Sequence, residues 1–190
     1  MVESERSWRM CRSRTGLRLW SALAIVFSTA TLLAADGIRI TPLVREGHVL
    51  VSFDVPNGFT EEVREAIYSG LRTTFTYTVE LRMAATVWID RKIASAVISN
   101  TVQYDNLSRR HNISRTLDGR LEDTRVTDDE MEVREWMTRL DKLPLFKTSQ
   151  LEPNREYYVR VYVRARPRTG ALPWPFEGGL SGQSKFTFIR

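Results

Sequence analysis

The sequence predicts an α+β fold that consists mainly of antiparallel β-strands, arranged as a sandwich-like curved sheet with two covering amphipathic helices. Three segments alternate apolar and polar residues, which is typical of strands with one buried face: HVLVSFDV at 48–55, RTTFTYTVELRM at 72–83 and EYYVRVYVRARP at 156–167. Two other segments place apolar residues three and four positions apart, which indicates helices that cover a sheet. With 190 residues, of which 42% are hydrophobic, the chain can bury one good core, so we expect one folded domain.

The N-terminal segment, residues 1–35, predicts a signal peptide or an N-terminal membrane anchor. An arginine-rich head precedes the uncharged run Leu19–Ala35, and small residues end that run. As a helix the run would extend about 26 Å, which is close to the ~30 Å hydrocarbon core of a bilayer. Cleavage and retention both stay open, because a leucine stands three positions before the cleavage point that would follow either terminal alanine. We expect residues 36–190 to be a single exported β-rich domain in the periplasm, either soluble or anchored in the inner membrane by residues 19–35.

The remaining strands and the two helices are placed by the same patterns and by turn residues. We expect further strands at Gly37–Leu43, Lys92–Tyr104, His111–Leu117 and Ser184–Ile189. The first helix is expected to begin near Thr60 and to stop at Gly70, a residue suited to a helix C-terminus. The second helix is expected to open with a capping box at Thr127–Glu130. Its apolar face is predicted to consist of Val133, Trp136, Met137 and Leu140.

The segment Tyr104–Gly119 combines acids, arginines and one of the two histidines of the chain. We interpret it as the end of one strand, a polar connection, a second strand and a tight turn at Asp118-Gly119. Its three arginines are then expected on the solvent side, where they would face nearby acids: Arg109, Arg110 and Arg115.

Four separated blocks of the sequence carry a resemblance to a known family. They are VLVSFDVPNGFTEEVREAIYSGLRTTFTYTVELR at 49–82, YDNLSRRHNISR at 104–115, RVTDDEMEVREWMTRL at 125–140 and FTFI at 186–189. In this order they resemble the bacterial exported proteins of domain of unknown function 4390. The resemblance implies a Gram-negative envelope protein with a single apolar N-terminal segment, and an association with a membrane signalling protein. It implies no activity.

A shorter likeness concerns LEPNREYYVRV at 151–161. Leu151, Pro153, Tyr157, Val159 and Val161 resemble the tyrosine corner that leads into the penultimate strand of fibronectin type III sandwiches. This likeness favours a sandwich-like arrangement over a closed barrel.

Several function classes are not expected from the composition and the motifs. Most of the net charge of +5 belongs to residues 1–35, so the remainder is close to neutral and a nucleic-acid partner is not expected. The single cysteine, Cys11, precedes the apolar run, so the exported part lacks a thiol. His48 and His111 have no metal-ligand spacing, and the acids at 128–130 suit the first turn of a helix. No catalytic motif is present, and we expect neither an enzyme nor a metal or other cofactor.

One surface is the main candidate for binding. Alternating residues of the segment 156–167 share a face and could hold carboxylate or phosphate groups or stack on rings: Tyr158, Arg160, Tyr162, Arg164 and Arg166. Beside them, the loop LPWPFEGG contains Trp174 and Phe176, which either pack against the sheet or contact a partner. The simpler alternative for the arginines and tyrosines is a polar outer face that is paired with acids of the neighbouring strands.

The leading hypothesis is a non-enzymatic cell-envelope binding module, accessory to a membrane signalling protein. Its expected partner is an envelope or membrane protein, with membrane contact through the N-terminal segment if that segment is uncleaved. The alternative is a periplasmic carrier of a hydrophobic ligand, which requires an apolar cavity of ~300 Å³ or more. A hydrolase would require His48 or His111 to bond an acid inside a cleft.

Overall fold

The computed structural model describes residues 37–84, 90–167 and 179–189, which form two antiparallel sheets and two helices. In chain order the elements are β1 (Arg39–Arg45), β2 (His48–Asp54), α1 (Glu61–Tyr68), β3 (Thr73–Met83), β4 (Arg91–Asp105), β5 (Arg110–Leu117), β6 (Arg120–Thr127), α2 (Glu130–Thr138), β7 (Arg139–Lys147), β8 (Arg155–Pro167) and β9 (Leu180–Phe188). The three-stranded sheet has the order β1-β2-β7, and the six-stranded sheet has the order β6-β5-β4-β3-β8-β9. The predicted class, an α+β fold of mainly antiparallel strands in a sandwich-like arrangement, is confirmed.

The core lies where α2 and the three-stranded sheet pack against β3. Alternate residues of β3 are completely buried, and the threonines between them are partly exposed. The ring of Tyr77 on β3 lies 4.8 Å from the ring of Phe53 on β2, measured between centroids. Its hydroxyl donates a hydrogen bond to the backbone carbonyl of Met137 in α2. One buried side chain thus ties the small sheet and the second helix to the centre of the large sheet.

The alternation pattern does not predict β6 and β7, for two different reasons. β6 is an edge strand on which Leu121 and Val126 are largely exposed, so neither of its faces has an apolar pattern. β7 is irregular, because its pairing with β2 shifts register twice and Lys142 has a φ of 44°. A shifted register moves later side chains to the other face, and the period-two signal is lost.

The first helix begins as predicted. Thr60 is the N-cap of α1, and its side-chain oxygen accepts a hydrogen bond from the backbone amide of Val63 at 3.4 Å. Two residues after the helix, Gly70 has a φ of 83°, a conformation that glycine adopts without a steric penalty.

The predicted start and end of the second helix are wrong. Thr127 still pairs with His111 across β5 and β6, so its backbone belongs to a strand and the helix begins later. The N-cap is Asp129, whose carboxylate accepts a hydrogen bond from the backbone amide of Met131 at 2.8 Å. Leu140, predicted on the helix face, is buried in β7 because the helix ends at Thr138.

Two turn predictions are confirmed. Asp118 and Gly119 have φ angles of 48° and 81° and form the turn between β5 and β6. The backbone amide of Glu152 donates a hydrogen bond of 2.7 Å to the hydroxyl of Tyr157 at the start of β8. This contact between a tyrosine and the backbone a few residues upstream is the tyrosine corner.

Within residues 37–84, 90–167 and 179–189, neither helix has the length and apolar character needed to cross a membrane. The predicted leader, residues 1–35, lies outside the described residues.

β9 lies very close to the chain before β1 at Gly182. A Cβ atom at Gly182 would lie 2.9 Å from the carbonyl oxygen of Ile38 and 3.0 Å from its Cβ. We therefore expect Gly182→Ala to lower the free energy of unfolding by about 1–3 kcal/mol, because overpacking forces the backbone to move. Urea unfolding measures the change. The exposed neighbour Ser181 provides the control, and Ser181→Ala is expected to stay within ~0.5 kcal/mol of wild type. Equal stabilities of the two variants would contradict the close approach.

Candidate binding surface and buried polar clusters

In the described part of the chain, one face of the six-stranded sheet is covered and the other, here called the outer face, lies toward solvent. The covered face carries Tyr77 and Asn100, both of which bond to the backbone of α2. Strand register places hydroxyl residues side by side on the outer face of β3, β4 and β5: Thr74, Thr76, Thr78, Ser99, Thr101, Ser114 and Thr116. The hydroxyl oxygens of Thr74 and Thr101 are 3.0 Å apart. The outer face is therefore a broad hydroxyl surface of short side chains.

The predicted arginine and tyrosine series on β8 lies along one side of these hydroxyls, and its first member is buried. Tyr158 is only 4% exposed. Its hydroxyl donates to a carboxylate oxygen of Asp90 at 2.6 Å and accepts from Nε of Arg82 at 3.0 Å. Burial and, second, the Asp90 carboxylate raise the pKa of Tyr158. At this end of the strand the polar side chain is therefore paired within the protein, which agrees with the simpler alternative of a polar face that is paired with acids.

The middle of the series is more open. Arg160 donates to the hydroxyl of Tyr162 at 2.9 Å and to Oε1 of Gln183 at 3.2 Å. It lies opposite Glu80 in the register, but that carboxylate is bonded by Arg82 at 3.0 Å. Among the described residues, no acid forms an ion pair with Arg160.

The exposed end of the series is formed by Tyr162 and Arg164. Tyr162 is 37% exposed, and Arg164 is exposed without an ion pair to any described residue. Of the other predicted residues, the backbone of Arg166 pairs with Thr74, while its side chain lies outside the described part of the chain. Trp174 and Phe176 also lie outside the described residues.

A second group of residues, which the sequence did not single out as a cluster, joins α1 and α2 to β5. Glu130 at the start of α2 accepts hydrogen bonds from Arg64 at 2.8 Å and from the Tyr68 hydroxyl at 2.9 Å. The ring of Tyr68 meets the ring of His111 edge-on at 5.4 Å, and Tyr104 lies 4.8 Å from the same imidazole. His111 is 2% exposed, and its Nδ1 has no hydrogen-bond partner among the described residues. Burial lowers its pKa, against smaller opposing effects of a hydrogen bond to the Thr127 backbone and the charge of Glu130.

A third group contradicts the prediction that Arg115 lies on the solvent side. Arg115 is on the covered face of β5, where its Nε donates to the side-chain oxygen of Asn100 at 2.9 Å. Its guanidinium lies 4.3 Å from the ring centroid of Trp136, a residue of α2. Asn100 is completely buried, and its amide nitrogen donates to the backbone carbonyl of Trp136 at 2.7 Å. The register decides the placement, because Arg115 shares its strand face with Ile113 and not with Ser114.

Comparison with known proteins identifies the family and gives no activity. The family model of Domain of unknown function (DUF4390) matches residues 35–189. The chain belongs to this family. No curated protein and no solved structure is significantly similar to it. The DUF4390 resemblance of the sequence is therefore confirmed, and conclusions about binding must come from the geometry of this chain.

The described histidines of the DUF4390 domain do not form the pair that the hydrolase hypothesis requires. Nδ1 of His48 lies 3.0 Å from the backbone carbonyl oxygen of Glu46, and the rings of Tyr68 and Tyr104 pack against the ring of His111. Over residues 37–84, 90–167 and 179–189, no group of three or more histidines, cysteines or acids could hold a metal ion.

Three clefts of the DUF4390 domain have volumes of about 380, 490 and 340 Å³, and polar or charged side chains dominate all three. The first lies beside α2 and includes Phe59 and Met131, and the second lies near Gly70 and Tyr104. The third lies beside Trp136 and is lined otherwise by charged residues. None of the three has the apolar lining that a carrier of hydrophobic ligands would use.

Proposed function

We propose that this DUF4390 protein is a non-enzymatic binding module of the cell envelope, which contacts an acidic surface of an envelope or membrane protein. The contact is made by the outer face of the six-stranded sheet around Tyr162 and Arg164. The observation that carries the proposal is the exposed pair itself, a tyrosine and an arginine that no described acid pairs with, beside a broad hydroxyl surface.

The charges of the outer face favour an acidic partner. Arg160 and Arg164 have no acid partner among the described residues, whereas the nearby carboxylate of Glu80 is bonded by Arg82 and lies 3.7 Å from Nζ of Lys92. The excess positive charge therefore lies on the β8 side of the face. Complementary charge steers association and selects partners, and tyrosine and arginine are among the residues that are enriched in protein interfaces.

The shape of the face favours a protein over a small ligand. The hydroxyl residues are short and lie on three adjacent strands, so they offer a broad surface to a partner. Sites for small molecules are concave, whereas protein interfaces use broad surfaces. The envelope location rests on the arginine-rich head and the uncharged run Leu19–Ala35, which together resemble an export signal.

Site-specific photo-cross-linking tests this proposal. A photo-reactive residue replaces Tyr162 in the full chain, and living cells that make this protein are irradiated. We expect one acidic envelope or membrane protein to be cross-linked, and Arg164→Glu to lower the yield by about tenfold, because a charge reversal both removes the attraction and adds repulsion. The matched control is Arg45→Glu on the small sheet, where the arginine is 69% exposed, and this variant is expected to keep the wild-type yield.

Two results would count against the proposal. Equal yields for Arg164→Glu and Arg45→Glu would show that the charge at Arg164 is not used. Cross-linking at Tyr162 only to cytoplasmic proteins would contradict the envelope location.

A further inference from the structure

The geometry points to a second binding site, on the other side of the large sheet, in which Arg115 holds a carboxylate group of a peptide segment. The site is the cleft of about 340 Å³ beside Trp136, and it is independent of the surface around Tyr162. Arg115 and Tyr162 lie on opposite faces of the sheet, since Arg115 aligns with Asn100 and Tyr162 aligns with Thr78.

The charge of Arg115 is unusual for its position. The guanidinium is half-buried, but no described carboxylate lies within ion-pair distance of it. Burial lowers its pKa, and the charge of Asp123 acts in the opposite direction. The Asp123 carboxylate is already bonded by Arg125, at 2.8 Å from Nη2 and 3.1 Å from Nε. A half-buried guanidinium without an ion pair is incompletely compensated, so an anion that reaches its Nη nitrogens would gain charge-assisted hydrogen bonds.

Arg115 is also held in a fixed orientation. Its Nε is bonded to Asn100, and the plane of the guanidinium lies near the Trp136 ring. The remaining N–H donors are on the two Nη nitrogens, the pair that binds a carboxylate through two parallel hydrogen bonds. Because the side chain is already ordered, little conformational entropy is lost when a ligand binds.

The other charges of the cleft select the kind of anion. Two more arginines and three acids line it: Arg125, Arg139, Glu132, Glu135 and Asp141. Arg125 is engaged by Asp123 and lies 3.8 Å from Glu132, and Arg139 is exposed to solvent, so Arg115 is the half-buried guanidinium of the cleft that has no ion pair with a described residue. The acids repel a dianion such as phosphate more strongly than they repel the single charge of a carboxylate, and one carboxylate matches the one half-buried guanidinium. The volume fits one or two residues of a peptide.

A titration of the full chain in detergent micelles, followed by NMR of nitrogen-bound protons, tests this inference. The signals are the Nε–H of Arg115, which its hydrogen bond to Asn100 protects, and the indole N–H of Trp136, assigned with Trp136→Phe. The probes are N-acetylglycine, which presents a chain-end carboxylate, N-acetylaspartate amide, which presents a side-chain carboxylate, and inorganic phosphate. We expect a saturable shift of both signals with at least one carboxylate probe. The carboxylate probe that binds more tightly shows whether the site takes a chain-end or a side-chain carboxylate.

Variants separate this site from the proposed outer-face surface. We expect Arg115→Lys to weaken carboxylate binding by about tenfold, because lysine keeps the charge but lacks the planar fork. The control Arg164→Gln is expected to bind the probes as wild type does, so the site at Arg115 stands or fails independently of the proposed function. Unchanged binding in a folded Arg115→Lys protein would overturn the inference. If that variant does not fold, the wild-type titration still decides, because no saturable shift of these two signals, or tighter binding of phosphate than of both carboxylates, would also overturn it.

Discussion

Asn100→Ala is expected to lower the free energy of unfolding by about 3–5 kcal/mol, a large part of the stability of a typical domain. The side chain is completely buried and joins β4 to α2 and β5 through two hydrogen bonds, of 2.7 Å to the Trp136 carbonyl and 2.9 Å from Arg115. Alanine would leave the carbonyl and the guanidinium Nε without their partner and would leave a cavity in a closely packed region. Urea or thermal unfolding measures the loss.

The neighbouring residue on the same strand provides a matched control for this variant. Ser99 lies on the outer face opposite Thr76 and Thr116, so Ser99→Ala removes a hydroxyl at a partly exposed position. We expect it to change the stability by no more than about 0.5 kcal/mol. A loss of less than about 1 kcal/mol in Asn100→Ala would show that the amide does not join the sheet to the helix. Asn100→Asp is expected to remain destabilised, because a carboxylate oxygen would then face the Trp136 carbonyl.

The elements that could be predicted from the sequence are those in which a regular pattern survives folding. β2 and β3 alternate because one face of each is buried in the core and the other is not, and β8 alternates in the same way from Val159 onward. β6 has no buried face, and the irregular register of β7 changes which residues point inward. The capping pattern at Thr127 fits a strand end as well as a helix start, and only the pairing of Thr127 with His111 decides between the two.

At the candidate sites, the type of a residue is a poor predictor of whether its side chain is buried. The alternation on β8 predicts that its arginines and tyrosines share a face, but the burial of Tyr158 depends on Asp90 and Arg82, which come from other parts of the chain. The charge of Arg115 predicts a position in solvent, although the residue alternates in phase with the buried Ile113. His111 has the same phase. Alternation along the strand therefore predicts burial better than the charge or polarity of a residue does. Hydrogen bonds to partners from other elements explain how the buried polar side chains are tolerated.

Acidification is expected to destabilise the fold through His111. Burial lowers the pKa of His111 in the folded protein below the ordinary value of 6.5. The unfolded chain then binds more protons than the folded protein between these two pKa values, so the free energy of unfolding falls as the pH falls below about 6.5. One proton gives a slope of at most about 1.4 kcal/mol per pH unit. Above the pKa of the unfolded chain the imidazole is neutral in both states. The free energy of unfolding then no longer depends on the protonation of His111.

The surroundings of His111 make it the expected source of this slope. The groups that face it are Tyr104 from β4, the Thr127 backbone from β6, Tyr68 from α1 and Glu130 from α2, and Arg64 of α1 bonds the Glu130 carboxylate. Hydrogen bonds from Tyr68 and Arg64 outweigh desolvation and lower the pKa of Glu130 below 4.5, so this carboxylate stays ionised between pH 5 and 7. A charged imidazole would also gain a second N–H at Nδ1, an atom that has no acceptor among the described residues.

Urea unfolding between pH 5 and 7 measures this dependence, and His111→Phe is the decisive variant. A phenyl ring fits among Tyr68 and Tyr104 and cannot be protonated, so we expect the slope over this range to become nearly flat. His111→Gln serves if the phenylalanine variant is poorly folded, and it should show the same flattening. The control is His48→Gln at the partly exposed start of β2, which is expected to retain the wild-type slope. An unchanged slope in both His111 variants would show that the acid sensitivity arises elsewhere, and that α1 and α2 are held to β5 independently of the charge on this imidazole.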